Sequence, residues 1–464
     1  IGFTFANGRI SGVETENGTI ACDAVALCGG LWSRAIASMA GISAPLYACE
    51  HYALITKPFD GIYTGMPVLG AHDGYMYIRD EAQGLLVGSF EPNARPVDLN
   101  QLPNDFSFDL LGENWDHFEP IMAEALHRIP ALETAEVRML LNGPESFTLD
   151  GAFLMGEAPE VPGFFMCCGM NSMGIASSGG AGKALADWVV DGDPGVDLSS
   201  VDVRRFARVR DTLTAVRDRA AENLSIHYAI GYAGHEFESA RNLRLSPLHE
   251  RLASLGAEFG DRGGWERPSW FQPAGGGVST ELRFGKPRWF DCVAREHKAA
   301  REAVAVFDQT SFSKILVQGR DASAFLDRVC AGRMDVPVGR VTYTPVLNTR
   351  GGYESDVVAL RIRNDAYLIV TGSSQQTRDM DLLRRDIATK EFVTLTDMTS
   401  AYAVIGVMGP NARTLLSRLS PDDFTNESFP YLTHRDIEIG DTVARATRIS
   451  YVGELGWELY VPSE

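Results

Sequence analysis

No cysteine of the chain stands in a CxxC pair, although there are seven: Cys22, Cys28, Cys49, Cys167, Cys168, Cys292 and Cys330. None has Cys/His metal spacing, so no metal site is expected, and inert core thiols in a reducing compartment are the reading. No phosphate loop ending in GK[ST] occurs, which argues against a nucleotide triphosphate. Ser/His/Asp triad and zinc signatures are likewise missing. There is neither a signal peptide nor an apolar run long enough to cross a membrane. Positive charge is scarce. Lys and Arg number 42 against 61 Asp and Glu, a net charge of -19, which argues against nucleic acid as a partner.

What is present is apolar bulk and glycine. The 464 residues are 45% hydrophobic and hold 46 Gly, enough for two or three domains with their own cores. The chain opens on Ile1 inside a hairpin pattern with turns at Asn7-Gly8 and Asn17-Gly18, and stops after an apolar strand. It reads as a fragment cut at both ends.

The richest stretch is 143–190. A strand (Phe164, Phe165, Met166) enters a Gly-rich turn, which opens a helix with an apolar face of Ala181, Ala184, Leu185, Trp188 and Val189. Gly192 stops it. Unpaired backbone N–H groups at such a helix start accept a partly anionic planar group. An ordinary strand-to-helix turn is the alternative. A second strand, Ala24–Cys28, ends in Gly29 and Gly30 before another helix. Two such turns suit a long cofactor lying across the carboxyl ends of parallel strands.

Between them, about 43–145 alternates strand-like pieces (HYALITK, GYMYIRD, GLLVGSF) with a helix from about Trp115 to Ile129, an antiparallel sheet inserted in the fold. A linker, 191–195, precedes a charge-rich helix within 203–224 whose Arg run reads as a solvated face with salt links between domains. Residues 258–290 read as an extended crossover. From about 291 an α+β unit begins with a helix over CVAREHKAAREAVAVFD. In it, Asn348–Gly352 is a hairpin turn with Asp356 on the following strand, able to hydrogen-bond a ligand nitrogen or shuttle its proton. Glu454, between Gly453 and Gly456, is a candidate for gripping a cyclic amidine edge. Each has an ordinary-turn alternative, and most scattered histidines have structural roles.

GPESFTLDG, MGEAPEVPGFF, GMNSMGIASSGG, GWERPSWF, YTPVLNTRGGYESDV and YVGELGWELYVP, in this order, resemble the sarcosine dehydrogenase and dimethylglycine dehydrogenase family, with wording nearer the former. The resemblance implies an α/β plus α+β architecture. A D-amino-acid-oxidase-type FAD domain without its N-terminal dinucleotide-binding unit would occupy 1–195. A central linker domain would occupy 196–257, and an incomplete folate-binding domain similar to the glycine-cleavage T-protein 258–464. It implies an FAD enzyme that oxidises an N-methyl amine and passes the one-carbon unit to tetrahydrofolate, with electron-transfer flavoprotein or oxygen as acceptor. Location would be cytoplasmic, or the mitochondrial matrix in a eukaryote.

By the same resemblance His51 and Tyr77 are the active-site pair beside the flavin, with Tyr75 a neighbouring register. Ser172, Met173, Gly174 and Ile175 form the turn at the flavin ring, and Gly29 and Gly30 the second cofactor turn. Asp356 assists ring closure on tetrahydrofolate, Tyr343 contacts folate, and Glu454 is the pterin-edge acid. Ser355 replaces the first of two acids found in glycine-cleavage enzymes, as in the dehydrogenases. The dinucleotide fingerprint GxGxxG and an upstream flavin-linking histidine are not found, and Leu149 stands where Pro is common.

Overall fold

The computed structural model describes residues 2–103, 105–206 and 212–463. Contacts divide it into two units, one of residues 1–204 and 210–240, the other of 205–209 and 241–464.

The first unit contains strands β1 (Gly2–Ala6), β2 (Arg9–Thr15), β3 (Gly18–Ala21), β4 (Val25–Leu27), β5 (Leu46–Thr56), β6 (Leu69–Ala71), β7 (Met76–Glu81), β8 (Gly84–Ser89), β9 (Pro96–Val97), β10 (Val137–Thr148), β11 (Leu154–Glu157) and β12 (Phe164–Cys168). Its helices are α1 (Ser33–Met39), α2 (Trp115–Arg128), α3 (Gly174–Asp191) and α4 (Leu213–Ser225). β1–β3 form a meander whose first turn places Asn7 and Gly8 at positive φ, as an Asn-Gly hairpin requires. β12 lies between β11 and β4 and runs parallel to β4, with Met166 opposite Leu27. The turns after β4 and β12 therefore leave the same edge of one sheet.

The inserted sheet has the order β10-β5-β8-β7-β6, every pair antiparallel, with β9 also on β5. Alternation along its strands sorts the side chains. Tyr52, Leu54, Met76, Ile78, Leu85 and Val87 face α2 and pack on Phe118, Ile121 and Ala125. Cys49 and Phe147 point the other way and pack on Phe90 and on Ala220 and Leu224 of α4.

The second unit contains α5 (His249–Ser254), β13 (Ala257–Arg262), β14 (Trp265–Phe271), α6 (Phe290–Glu302), β15 (Ala305–Asp308), β16 (Ser313–Gln318), α7 (Ala322–Val329), β17 (Val341–Leu347), β18 (Tyr353–Arg363), β19 (Ala366–Thr371), α8 (Gln376–Asp386), β20 (Thr394–Asp397), β21 (Tyr402–Met408), α9 (Ala412–Leu416), β22 (His434–Ile439), β23 (Thr442–Thr447) and β24 (Gly456–Pro462). Two five-stranded sheets, β15-β21-β24-β23-β22 and β17-β18-β19-β16-β20, share a core in which Val341, Leu360 and Leu368 meet Val404 and Tyr460. Lys314 on β16 is fully buried, and its Nζ donates to the carbonyls of Thr310 (2.8 Å) and Phe312 (2.9 Å). Burial, reinforced by Arg244, pushes its pKa down to about 7.

Three expectations are corrected. Residues 257–271 are a β-hairpin, so the extended crossover shrinks to residues 272–289. Gly263 and Gly264, both at positive φ, make the hairpin's tight turn, a turn signal rather than irregular chain. The helix from Phe290 ends at Glu302, and Ala305–Asp308 is a strand on β21, where the β-branched Val306 and aromatic Phe307 favour extended chain. The charge-rich stretch becomes helical at Leu213, capped by the Thr212 hydroxyl, and residues 207–211 of it lie outside the described residues. Arg219 is not on a solvated face. It is 3% exposed, lies over the Phe237 ring and donates to the Ser239 carbonyl.

Candidate active site and folate-type site

His51 sits in the middle of β5, on the face turned away from α2. Gly143 is its direct partner on β10, and Glu145 stands diagonally from it on the same face, opposite Cys49. Tyr77 reaches this face from β7 because its partner on β8 is Gly88: a Cβ there would lie 2.1 Å from the Tyr77 ring. The glycine is a slot for the phenol.

The imidazole is held from two sides. Its Nδ1 lies 3.3 Å from Glu91 Oε2, and its Nε2 lies 3.5 Å from Ser172 Oγ and 3.9 Å from Glu145 Oε2. Glu91 is 1% exposed. Its Oε1 accepts from the Tyr52 backbone N–H (2.8 Å) and the Ser89 hydroxyl (2.7 Å), so the carboxylate is fixed before it meets the histidine. Burial disfavours the imidazolium, but the Glu91 hydrogen bond and the charges of Glu91 and Glu145 outweigh it, and the His51 pKa is raised. Burial, with help from Glu145 and Glu91 against Arg79, also raises the Tyr77 pKa, keeping it a neutral donor.

Rings surround these groups. Phe90 is 5.0 Å from His51 and 6.5 Å from Tyr77 between centroids, and it stacks on His227 at 4.3 Å. Tyr228 lies 4.3 Å from Phe90 and stacks on His72. Burial, then the proximity of His51 and His72, lowers the His227 pKa. Tyr75 takes a left-handed conformation (φ 55°) and packs with the α2-facing core, whereas Tyr77 packs with Phe90.

Ser172 comes from the turn between β12 and α3. Asn171 and Ser172 are consecutive residues at positive φ. The strain is held by Asn171, whose Oδ1 accepts from the Thr148 N–H (2.9 Å) while its Nδ2 donates to the Gly169 carbonyl (2.7 Å). No side chain caps α3, so its first N–H groups remain for a ligand. Met173 and Ile175, 51% and 97% exposed, flank them. Gly29 and Gly30 lie at the end of β4, one strand away, with Gly30 at φ 54°. Two turns at adjacent strand ends, an uncapped helix start and exposed apolar side chains fit a flat, partly anionic ring system such as a flavin. The nearby thiols are poor nucleophiles, since burial pushes Cys167 up to about 11 and Cys168 to about 12.

In the second unit the Tyr343 hydroxyl donates to Asp356 Oδ2 at 2.6 Å across β17 and β18, and both residues are exposed. That hydrogen bond and the Asp356 charge raise the Tyr343 pKa to about 12, with smaller effects from Tyr353 and Tyr451. The exposed phenols of Tyr343, Tyr353 and Tyr451 thus gather near an accessible carboxylate, a surface that fits a stacked, hydrogen-bonding ring such as a pterin. Glu454 is elsewhere engaged: its Oε1 lies 2.9 Å from Arg301 Nη1, which also donates to the Val452 carbonyl.

Sequence reasoning did not single out Glu91, Glu145, Phe90, His227, Tyr228, Tyr353 or Tyr451. Glu91 carried a signal, an acid ending the apolar run LLVGSFEP.

Known proteins match along the whole chain. Residues 2–188 match the FAD dependent oxidoreductase family, 191–246 the FAD dependent oxidoreductase central domain and 248–464 the GCVT N-terminal domain. A 4-methylaminobutanoate oxidase (formaldehyde-forming) of Paenarthrobacter nicotinovorans is 43% identical over 97% of this chain and 54% of its own length. The mitochondrial pyruvate dehydrogenase phosphatase regulatory subunit of Mus musculus is 36% identical (98% and 53%). The mitochondrial sarcosine dehydrogenase of Homo sapiens is 34% identical (99% and 54%). The chain spans about half the length of these relatives. The chain thus carries an FAD dependent oxidoreductase domain joined through its central domain to a GCVT N-terminal domain, and over nearly its whole length it is similar to the sarcosine and dimethylglycine dehydrogenases.

Proposed function

We propose that the protein oxidises an N-methylated amino acid of the sarcosine and dimethylglycine class with FAD, and passes the one-carbon unit to tetrahydrofolate as 5,10-methylene-tetrahydrofolate. The observation carrying this reading is the His51 cluster: an imidazole clasped by Glu91, beside Tyr77 and Glu145, with Ser172 of the α3 turn 3.5 Å from its Nε2. Bound flavin supplies the hydride acceptor. Ser172, Met173, Gly174 and Ile175, with Gly29 and Gly30, would hold it, the α3 N–H groups favouring negative charge. His51 and Tyr77 orient the amine and set its protonation state. In the second unit Asp356, hydrogen-bonded to Tyr343, would handle the proton at a folate nitrogen, and Glu454 would serve the pterin edge once released by Arg301.

The test is anaerobic mixing of the FAD-loaded protein with sarcosine, dimethylglycine or 4-methylaminobutanoate. Bleaching of the flavin is expected with at least one, and added tetrahydrofolate should suppress formaldehyde release. A flavin that no N-methyl amine reduces would refute the reading. Because one relative is a regulatory subunit, a chain with a silent flavin half is the competing reading, either as a non-catalytic partner or as a folate-dependent aminomethyl transferase. Failure of reduction together with intact folate binding would favour it.

A further inference from the structure

The face of the inserted sheet that carries His51 holds more acid than base. Glu91 is spoken for: one oxygen accepts from Tyr52 N–H and Ser89 O–H, the other meets His51. Glu145 is not. Its 3.9 Å approach to His51 Nε2 is longer than a hydrogen bond, and its side chain keeps 35% exposure. The charges facing this space add up simply. His51 carries at most one positive charge, and Glu91 and Glu145 carry two negative ones. Tyr77, Tyr228 and His227 are neutral near pH 7, and Arg79 is paired with Glu81 at 2.6 Å. One carboxylate is left over even when the imidazole is protonated. The half-buried Tyr77 ring sits over Gly88 on the same face, close enough for the Glu145 charge to act on it, while Phe90 and Phe147, 5.0 and 6.0 Å from His51, are buried rings lining the imidazole. A surplus, partly exposed carboxylate beside a tyrosine ring is the chemistry that receives a methylated ammonium, by charge on one side and by the ring on the other.

We infer that Glu145 is the subsite for the cationic nitrogen of the substrate, and that it selects methylated ammonium groups over uncharged isosteres. The inference rests on the proposed amine oxidation and names the residue that confers the amine preference. Because Glu145 lies diagonally from His51 across the β5–β10 pair, the nitrogen it holds is delivered to the imidazole and to Ser172 of the α3 turn.

Calorimetric titration of the FAD-loaded protein with two non-oxidisable probes tests this. Trimethylglycine carries a permanent cationic nitrogen, and tert-butylacetate has the same shape with carbon in its place. The wild type should prefer trimethylglycine by about tenfold or more. Glu145→Gln should abolish the preference while leaving tert-butylacetate binding and the thermal unfolding midpoint unchanged, and Glu145→Asp should restore part of it. Preference retained in Glu145→Gln, or absent from the wild type, would overturn the assignment. Flavin reduction by N-methyl amines, run in parallel, separates the two claims. Normal reduction with an unchanged probe preference defeats the Glu145 subsite alone, whereas no reduction by any N-methyl amine defeats the amine-oxidation reading itself.

Discussion

The two units each present an acid joined to a ring donor, and they do it in opposite ways. Glu91 is 1% exposed, reaches His51 across strands 40 residues apart in sequence, and is fixed by a backbone N–H and a hydroxyl. Asp356 is exposed and its side chain accepts from the Tyr343 hydroxyl at 2.6 Å. The first arrangement is preorganised in a site shielded from water, where a fixed dipole or charge acts strongly. The second is a solvent-accessible pair, screened by salt and free to exchange its phenol for a ligand. The contrast suits the proposed division of labour, in which one site would hold the amine in a single pose and the other would capture its product.

Breaking the first arrangement should cost most. Glu91→Ala leaves a buried imidazole, an N–H and a hydroxyl without their acceptor, and should destabilise the first unit by about 3 kcal/mol or more, read by denaturant unfolding. Asp356→Ala should leave unfolding unchanged. Equal effects would erase the distinction. Next is Gly88→Ala. Its Cβ would collide with the Tyr77 ring, so a loss of about 1–3 kcal/mol is expected, with slowed amine oxidation and unaltered folate binding.

A pH series sharpens the contrast further. The His51 pKa is raised in the folded state, so its contribution to stability is complete below the unfolded value near 6.5 and is lost as pH rises through the folded value. Lys314 behaves in the opposite sense. Its pKa falls to about 7 on folding from 10.5, so between those values the unfolded chain binds more protons and the second unit gains stability as pH rises. Unfolding midpoints of the two units should therefore diverge above neutrality, and His51→Ala and Lys314→Met should each flatten the corresponding curve. The smallest expected effect is spectroscopic. Tyr343 should ionise near pH 12, and Asp356→Asn should bring it back toward 10, seen as the ultraviolet difference from Tyr343→Phe.

Much of the fold and part of each site were legible in the residues themselves. The apolar spacing of α3, its stop at Gly192 and the strands around His51, Tyr77 and Asp356 arise from local periodicity and turn chemistry. What was not legible is non-local. That Glu91 rather than another acid meets His51 depends on β8 pairing with β5, and Gly88 gains meaning only when Tyr77 is opposite it. Glu145 sits inside the GPESFTLDG stretch, yet its relation to His51 is a diagonal one across β5 and β10 that no local pattern encodes. The 257–271 hairpin was hidden by composition, since glycine and proline mark both irregular chain and tight turns.

The most direct test is the rate of flavin reduction by an N-methyl amino acid, measured by rapid anaerobic mixing in His51→Ala and Asp356→Ala side by side. Reduction about a hundredfold slower in His51→Ala, at wild-type rate in Asp356→Ala, is the predicted result. Equal slowing of both variants, or none in His51→Ala, would contradict the account.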